Sequence, residues 1–313
     1  MENLIVSSSP HIKSRLTTFS IMRDVLIALV PATVMAVVLF GLRALLIISV
    51  CVASAVLSEF VFNLLAKKKQ TIGDLSAAVT GLLLALNLPT TVTIWQCIVG
   101  AVFAIVVVKC LFGGLGCNFA NPAITARIFI LISFSSSVAG GSNPTIVDIE
   151  AGATPLEAIK NGASVDTLPS ITDMLLGLRG GAIGEVCAIA ILIGFVYLVV
   201  RRVISWHTPV IFVATVFVLS LIIKQDLTVA LYEILGGGLL LAAVFMATDY
   251  VTTPINKGGK MVFAFGCGII TVLIRFFGTY PEGVSFSILL MNILSPYIEK
   301  WCAKKPFGGA KNE

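Results

Sequence analysis

Charged side chains are scarce in this sequence: Asp, Glu, Lys and Arg make up 12% of the chain, where soluble domains carry about 25%. Hydrophobic residues make up 58%, and the mean hydropathy is +1.03. A water-soluble fold has no way to hide that much apolar surface, so a bilayer is the expected solvent. Histidine is nearly absent, with only His11 and His207, which argues against a histidine-ligated metal or haem. The seven cysteines form no CxxC pair and mostly sit in apolar runs, so they read as small core residues and not as a disulfide framework, a zinc site or an iron–sulfur run. No Gly-Lys-Ser/Thr follows the glycine-rich stretch, which excludes a Walker loop. The first 20 residues lack the apolar core and cleavage site of a secretory signal, so the amino terminus is expected to stay where it is made.

What the sequence has is a succession of apolar runs. A span needs roughly 20 such residues to cross about 30 Å of hydrocarbon. Runs bounded by charge and turn clusters fall near 21–41, 44–65, 74–88, 94–112, 120–137, 181–200, 209–224, 228–248, 261–278 and 284–301. The expectation is an all-α integral membrane protein of about ten transmembrane helices. With the amino terminus in the cytoplasm, Lys67–Lys69, Arg201 and Arg202, Lys257 and Lys260, and Lys300, Lys304 and Lys305 all fall on the cytoplasmic side. The net charge of +5 then reports topology, not a nucleic-acid partner. Both termini are expected in the cytoplasm of a prokaryote, around a plasma-membrane body in contact with lipid.

Gly81-Leu-Leu-Leu-Ala reappears as Gly238-Leu-Leu-Leu-Ala, and Leu111-Phe-Gly finds Phe276-Phe-Gly. Five spans per copy is an odd number, so the second copy enters from the opposite side and the repeat is inverted. The organisation that follows is a cytoplasmic segment 1–20, a five-helix repeat 21–137, an extracytoplasmic loop 138–180, a second repeat 181–301 and a tail 302–313. Two spans look broken. Residues 75–88 form a largely apolar run of 14 residues, about 21 Å of helix, that meets Asn87 and Pro89 at its end, so this segment should end inside the protein. Its counterpart carries Gly236–Gly238 and then Thr248 and Asp249. Paired broken helices point to a site at the membrane midplane.

Phe112-Gly-Gly-Leu-Gly-Cys-Asn-Phe-Ala-Asn-Pro-Ala-Ile-Thr-Ala-Arg127 puts glycines, Asn118, Asn121 and Arg127 between two apolar runs. Asn121 can cap a helix opened by Pro122, and amide donors there would suit an anionic or carbonyl-rich ligand; a tight turn for close helix approach accounts for the same residues. The 138–180 loop is expected to be structureless and to have a role. Within it, Pro155 pushes Thr154 into an extended conformation, where its hydroxyl is accessible. Acidic residues placed in or beside apolar runs are the default ion-coupling candidates: Glu59, Asp74, Glu185, Glu233 and Asp249, with Asp249 favoured.

GGLGCNFANPAITAR followed by a loop ending GATPL resembles the RnfD/NqrB family of respiratory membrane proteins, over nearly the whole chain. The resemblance implies flavin mononucleotide esterified through its phosphate to Thr154 by a flavin transferase that reads Gly152 and Ala153. Ala151 stands where the family often has serine. It also implies a second, non-covalent flavin such as riboflavin, for which the midplane cavity with Asn118, Asn121, Arg127 and Thr248 is the expected place. The chain would be non-catalytic alone. With the other subunits of an Rnf complex it would form a translocase coupling ferredoxin and NAD redox chemistry to Na⁺ or H⁺ movement, with Asp249 and Asp74 as ion-coupling candidates. A channel for small polar solutes and a bare scaffold are the competing readings. The GAT-bearing loop favours the redox reading, because a pore has no need of it.

Overall fold

A computed structural model describes residues 17–138, 144, 154–161, 168–278 and 282–303. Gly152 and Ala153 lie outside the described residues, as does most of the carboxyl-terminal tail. Within the described residues the chain is helical: α1 Thr18–Leu65, α2 Ser76–Leu86, α3 Ile94–Val102 running on through π-helical turns Phe103–Cys110, α4 Pro122–Ser133, α5 Ser135–Val138, α6 Pro155–Lys160, α7 Ile171–Leu176, α8 Ala188–Val200, α9 His207–Lys224, α10 Leu227–Leu235, α11 Leu239–Leu241 running on through π turns Ala242–Met246, α12 Lys257–Phe277 and α13 Val284–Trp301. Each of the ten apolar runs contains helix. Three helices, α1, α9 and α12, are long and apolar enough to cross a membrane, and α10 with α11 makes a fourth segment bent by 59°.

The pattern of α1 explains its packing. Thr17 and Ser20 cap it reciprocally. Its buried residues include Ala28, Ala32, Ala36, Leu39, Ala44, Ile47, Cys51, Ala55 and Glu59, a stripe at helical spacing and largely of small residues. The other face is also apolar, with Val30, Val34, Val38, Leu42 and Leu45 exposed. Small residues let backbones approach: a Cβ on Gly81 of α2 would meet the Cys51 carbonyl at 2.8 Å, and one on Gly194 of α8 would meet the Ala28 carbonyl at 2.4 Å. Gly41 breaks α1 with φ 66° and ψ −157°. A continuous helix would set Met22 and Glu59 about 55 Å apart. Instead Met22 lines the same cavity as Lys109, and Glu59 is ion-paired to Lys109, so the two arms fold back on each other.

The first broken segment ends inside the protein as its length requires. Asn87 and Leu88, just past α2, are buried. The carbonyls left over at this helix end accept from an irregular strip of the second half: Gly184 N–H donates to Leu86 O at 2.7 Å and Ile183 N–H to Leu88 O at 3.0 Å. Only glycine allows that approach, since a Cβ on Gly184 would lie 2.5 Å from the Leu86 Cβ. This strip corrects the expected 181–200 helix, which begins only at Ala188 because the backbone before it is engaged with α2. The second broken segment turns at Gly236–Gly238, with φ 64° and 66° at Gly237 and Gly238.

The 138–180 connection is not structureless, which is a second correction. Helices α6 and α7 pack on α10 through a small core of Ile159, Met174, Val229 and Tyr232. The Tyr232 hydroxyl donates to Pro169 O, and Lys160 Nζ to Gly278 O, both at 2.5 Å.

Candidate functional site

A cavity of about 90 Å³ lies where the two π-helical stretches end, lined by Lys109, Asn118, Asn121, Phe245, Thr248 and Asp249 among others. π turns place side chains out of α-helical register and recur at functional positions. Asn121 caps α4, its Oδ1 accepting from Ala123 and Ile124 N–H at 3.0 and 3.4 Å, while its Nδ2 donates to Met246 O at 3.5 Å. These contacts correct the expectation of free donors at this helix start: the side chain already uses the amides, and Pro122 has none. Asn118 donates to Ala120 O at 3.5 Å, and its buried Oδ1 has no partner among the described residues. The Thr248 hydroxyl donates to Val244 O at 2.6 Å.

Asp249 holds the following turn, accepting from Thr252 Oγ1 at 3.1 Å and Val251 N–H at 3.4 Å. Burial pushes its carboxyl above the ordinary range, and these hydrogen bonds pull back against that. Asp74 acts locally: its Oδ1 accepts from the Ser76 amide at 2.8 Å and from the Ser76 hydroxyl. Ser76 Oγ in turn accepts from Lys109 Nζ at 2.6 Å. Lys109 completes the set by pairing with Glu59 at 3.0 Å, both side chains almost wholly buried.

A second polar cluster is buried around the Gly236–Gly238 break. Arg275 donates to Glu233 Oε2 at 2.8 Å and to the Glu233 carbonyl at 2.5 Å. Arg127 pairs with Glu282 and donates to Ser285 Oγ at 3.0 Å and Asn87 Oδ1 at 3.3 Å. Arg179 gives its Nη2 to the carbonyls of Glu185 and Leu235, at 3.1 and 2.6 Å. Arg127 therefore does not join Asn118, Asn121 and Thr248 at the cavity. A thread of weaker contacts connects the two places, because Asn87 Nδ2 approaches Met246 Sδ at 3.6 Å while its Oδ1 takes the Arg127 bond.

Thr154 is half-buried and extended, φ −56° and ψ 152°, as the following proline requires, and it opens α6. Its Oγ1 accepts a long 3.4 Å bond from Glu157 N–H. Leu156, two residues on, is buried against Gly236 and Gly237, so the Thr154 helix rests on the break between α10 and α11.

Two implied groups can be tested against these residues. A phosphoester on Thr154 fits, since the residue is only half-buried and its hydroxyl donates no hydrogen bond among the described residues. A second flavin does not fit the cavity as it stands. The polar edge offered by Asn118, Asn121 and Thr248 is suitable, yet about 90 Å³ is far below the roughly 300 Å³ at which small-molecule pockets begin.

Sequence reasoning restricted to acidic residues missed the cations Lys109 and Arg179, and it left out Glu282, an acid in the connection between two apolar runs. Lys109 and Arg275 interrupt apolar runs, a signal as legible as any carboxylate. Arg179 and Glu282 lie in irregular segments and carry no such signal.

A model of the NQR2, RnfD, RnfE family matches residues 5–308. The chain is 46% identical, over 99% of its length and 96% of the relative's, to the D component of the Na(+)-translocating ferredoxin:NAD(+) oxidoreductase complex of Acetobacterium woodii. It is 36% identical to the D component of the proton-translocating ferredoxin:NAD(+) oxidoreductase complex of Clostridium ljungdahlii, over 97% of this chain and 96% of that one. The D component of the ion-translocating oxidoreductase complex of Methanosarcina acetivorans is 32% identical over the full length of both.

Proposed function

The chain belongs to the NQR2, RnfD, RnfE family, and from that premise we propose that it is the flavin-carrying membrane subunit of a complex coupling electron transfer between ferredoxin and NAD to Na⁺ or H⁺ translocation. The observation that carries this reading is the near full-length likeness to the D components of such complexes, joined to a Thr154 that is extended and only half-buried in Gly-Ala-Thr-Pro. Covalently bound flavin mononucleotide would supply one-electron redox chemistry there. This chain's residues hold the attachment point: Pro155 fixes its backbone, Leu156 anchors it on the α10–α11 break, and Lys160 ties its helix to Gly278. The other Rnf subunits bring the dinucleotide and iron–sulfur chemistry that this sequence lacks, and a flavin transferase matures it.

The architecture we propose is ten crossings in two inverted repeats, in the prokaryotic plasma membrane, with both termini cytoplasmic. Two observations support it. Arg201, at the end of the sixth predicted crossing, binds the buried Asp24, at the start of the first, at 3.1 and 3.2 Å, which requires both on one side as the alternation has them. In each half, moreover, a basic residue just before the hydrophobic-Phe-Gly landmark bonds a polar residue five positions ahead of Gly-Leu-Leu-Leu-Ala: Lys109 to Ser76, and Arg275 to Glu233.

For ion coupling, Asp249, which lines the cavity, remains the favoured residue, ahead of Asp74, which does not line it.

The test is expression with the transferase, a denaturing gel under ultraviolet light, and peptide mapping. Fluorescence in the band, a flavin mononucleotide phosphoester mass on Thr154, and loss of both in Thr154→Val are expected. A native protein that carries no flavin in the presence of active transferase sinks the reading and restores the channel and scaffold alternatives.

A further inference from the structure

Among the described residues, Glu185 is the buried glutamate that no cation holds. Glu59 has Lys109 at 3.0 Å, Glu233 has Arg275 at 2.8 Å, and Glu282 is paired with Arg127. Glu185 is 4% exposed, its Oε1 accepts from Ala182 N–H at 2.9 Å, and its Oε2 has no hydrogen-bond partner. A buried acceptor left bare costs free energy, and a proton or a small cation is a complement that a carboxylate oxygen in that state can take up. Glu59 Oε2 is bare too, but that carboxylate is already neutralised by Lys109 and accepts a hydrogen bond from the Thr71 hydroxyl.

The bare oxygen has a specific aim. It points at the α10–α11 break, where a Cβ on Gly238 would sit 2.6 Å from it. The same break carries Leu156 of the Thr154 helix on Gly236 and Gly237. The charged groups that face Glu185 are Glu282, Arg127 and Arg179. Arg179 spends its bonds on two carbonyls and leaves Nε without a partner, so it balances Glu185 by proximity and donates nothing to the carboxylate. Counted with Arg275 and Glu233 the cluster holds three arginines and three glutamates. A cation on Glu185 would leave it one charge positive, a state favoured by negative charge arriving elsewhere in the chain. The contacts from Arg127, a charged neighbour of Glu185, run through Asn87 and Met246 to Asn121 at the cavity beside Asp249.

We propose that Glu185 is a cation-exchanging carboxylate, its Oε2 taking up and releasing a proton or an alkali cation against the glycine break of the bent segment. The inference rests on the ion-translocating reading above and adds to it a site on the Thr154 side of the fold. No bond other than that between the oxygen and the cation is made or broken.

The experiment uses the assembled complex in proteoliposomes and a hydrophobic carbodiimide, which couples to protonated carboxyls inside membranes. The expected result is an adduct on the Glu185 peptide. Suppression by Na⁺ at fixed pH identifies an alkali-cation site, and suppression only by raising the pH identifies a proton site. Glu185→Gln, which preserves size and an acceptor for the Ala182 amide, is expected to lower the number of ions moved per electron at least tenfold, and Glu185→Asp to restore part of it. Absence of an adduct at any pH or Na⁺ concentration, or an unchanged ion-to-electron ratio in Glu185→Gln, overturns the proposal. If Glu185→Gln does not assemble, the labelling pattern of the parent and the ratio in Glu185→Asp decide in its place. In-gel flavin fluorescence on the same samples separates the two readings: a flavinylated, pumping parent indifferent at Glu185 defeats this inference alone, whereas a parent without flavin or ion transport defeats the function proposed above.

Discussion

Replacing Lys109 with Met should leave Glu59 buried without its cation. The side chains of this pair are 3% and 2% exposed, so water does not reach in to compensate. Removing one partner of a buried ion pair costs about 3–5 kcal/mol. The remaining escape is proton uptake, which for an ordinary carboxyl of pKa ~4.3 costs about 3.7 kcal/mol at pH 7 and about 1 kcal/mol at pH 5. The lost hydrogen bond to Ser76 adds about 1 kcal/mol at either pH. The variant should therefore lose about 4–5 kcal/mol at pH 7 and about 2 kcal/mol at pH 5. The sign follows from linkage: the folded variant binds a proton that its unfolded chain releases, so its stability falls as pH rises through that interval. Reversible unfolding in mixed detergent micelles at the two pH values measures the effect. The double variant Lys109→Met, Glu59→Gln removes the orphaned charge and should recover most of the loss at pH 7. A loss independent of pH, or a double variant no more stable than the single one, refutes the reasoning.

Gly81→Val should cost at least 2 kcal/mol, because its Cβ alone would lie 2.8 Å from the Cys51 carbonyl and 2.9 Å from Ala55, and overpacking costs about 1–3 kcal/mol before the extra methyls are counted; the same unfolding assay checks it, and a neutral result means α1 and α2 do not meet there. Leu156→Ala should destabilise by about 2–5 kcal/mol through the cavity left over Gly236 and Gly237. Protease sensitivity of the 138–180 connection should rise in that variant, while α1 and α2 stay protected. Asp249→Asn should weaken the dependence of turnover on Na⁺ or pH in the assembled complex; turnover with the parent's ion dependence would remove Asp249 from the coupling step.

How much of this the sequence carried can be traced residue by residue. The apolar runs set which segments are helical, because main-chain donors and acceptors away from water must be satisfied within the segment, and all ten runs contain helix. Pro155 determined the extended Thr154, and Gly236–Gly238 determined the bend, since both act through local backbone sterics. Pro89 marked the early end of α2 for the same local reason. Tertiary structure decided everything that depends on partners remote in sequence. It withheld helix from residues before Ala188, because that backbone pairs with the end of α2, and it gave the 138–180 connection two helices by packing them on α10. It moved Arg127 from the cavity to Glu282 and bound Lys109 to Glu59. It also left Glu185 without a cation of its own, although in sequence Glu185 resembles every other acid in an apolar run. A buried charge is costly wherever it sits, so its type and position can be read from the chain; which group neutralises it is set by the meeting of distant helices, and only the folded structure holds that information.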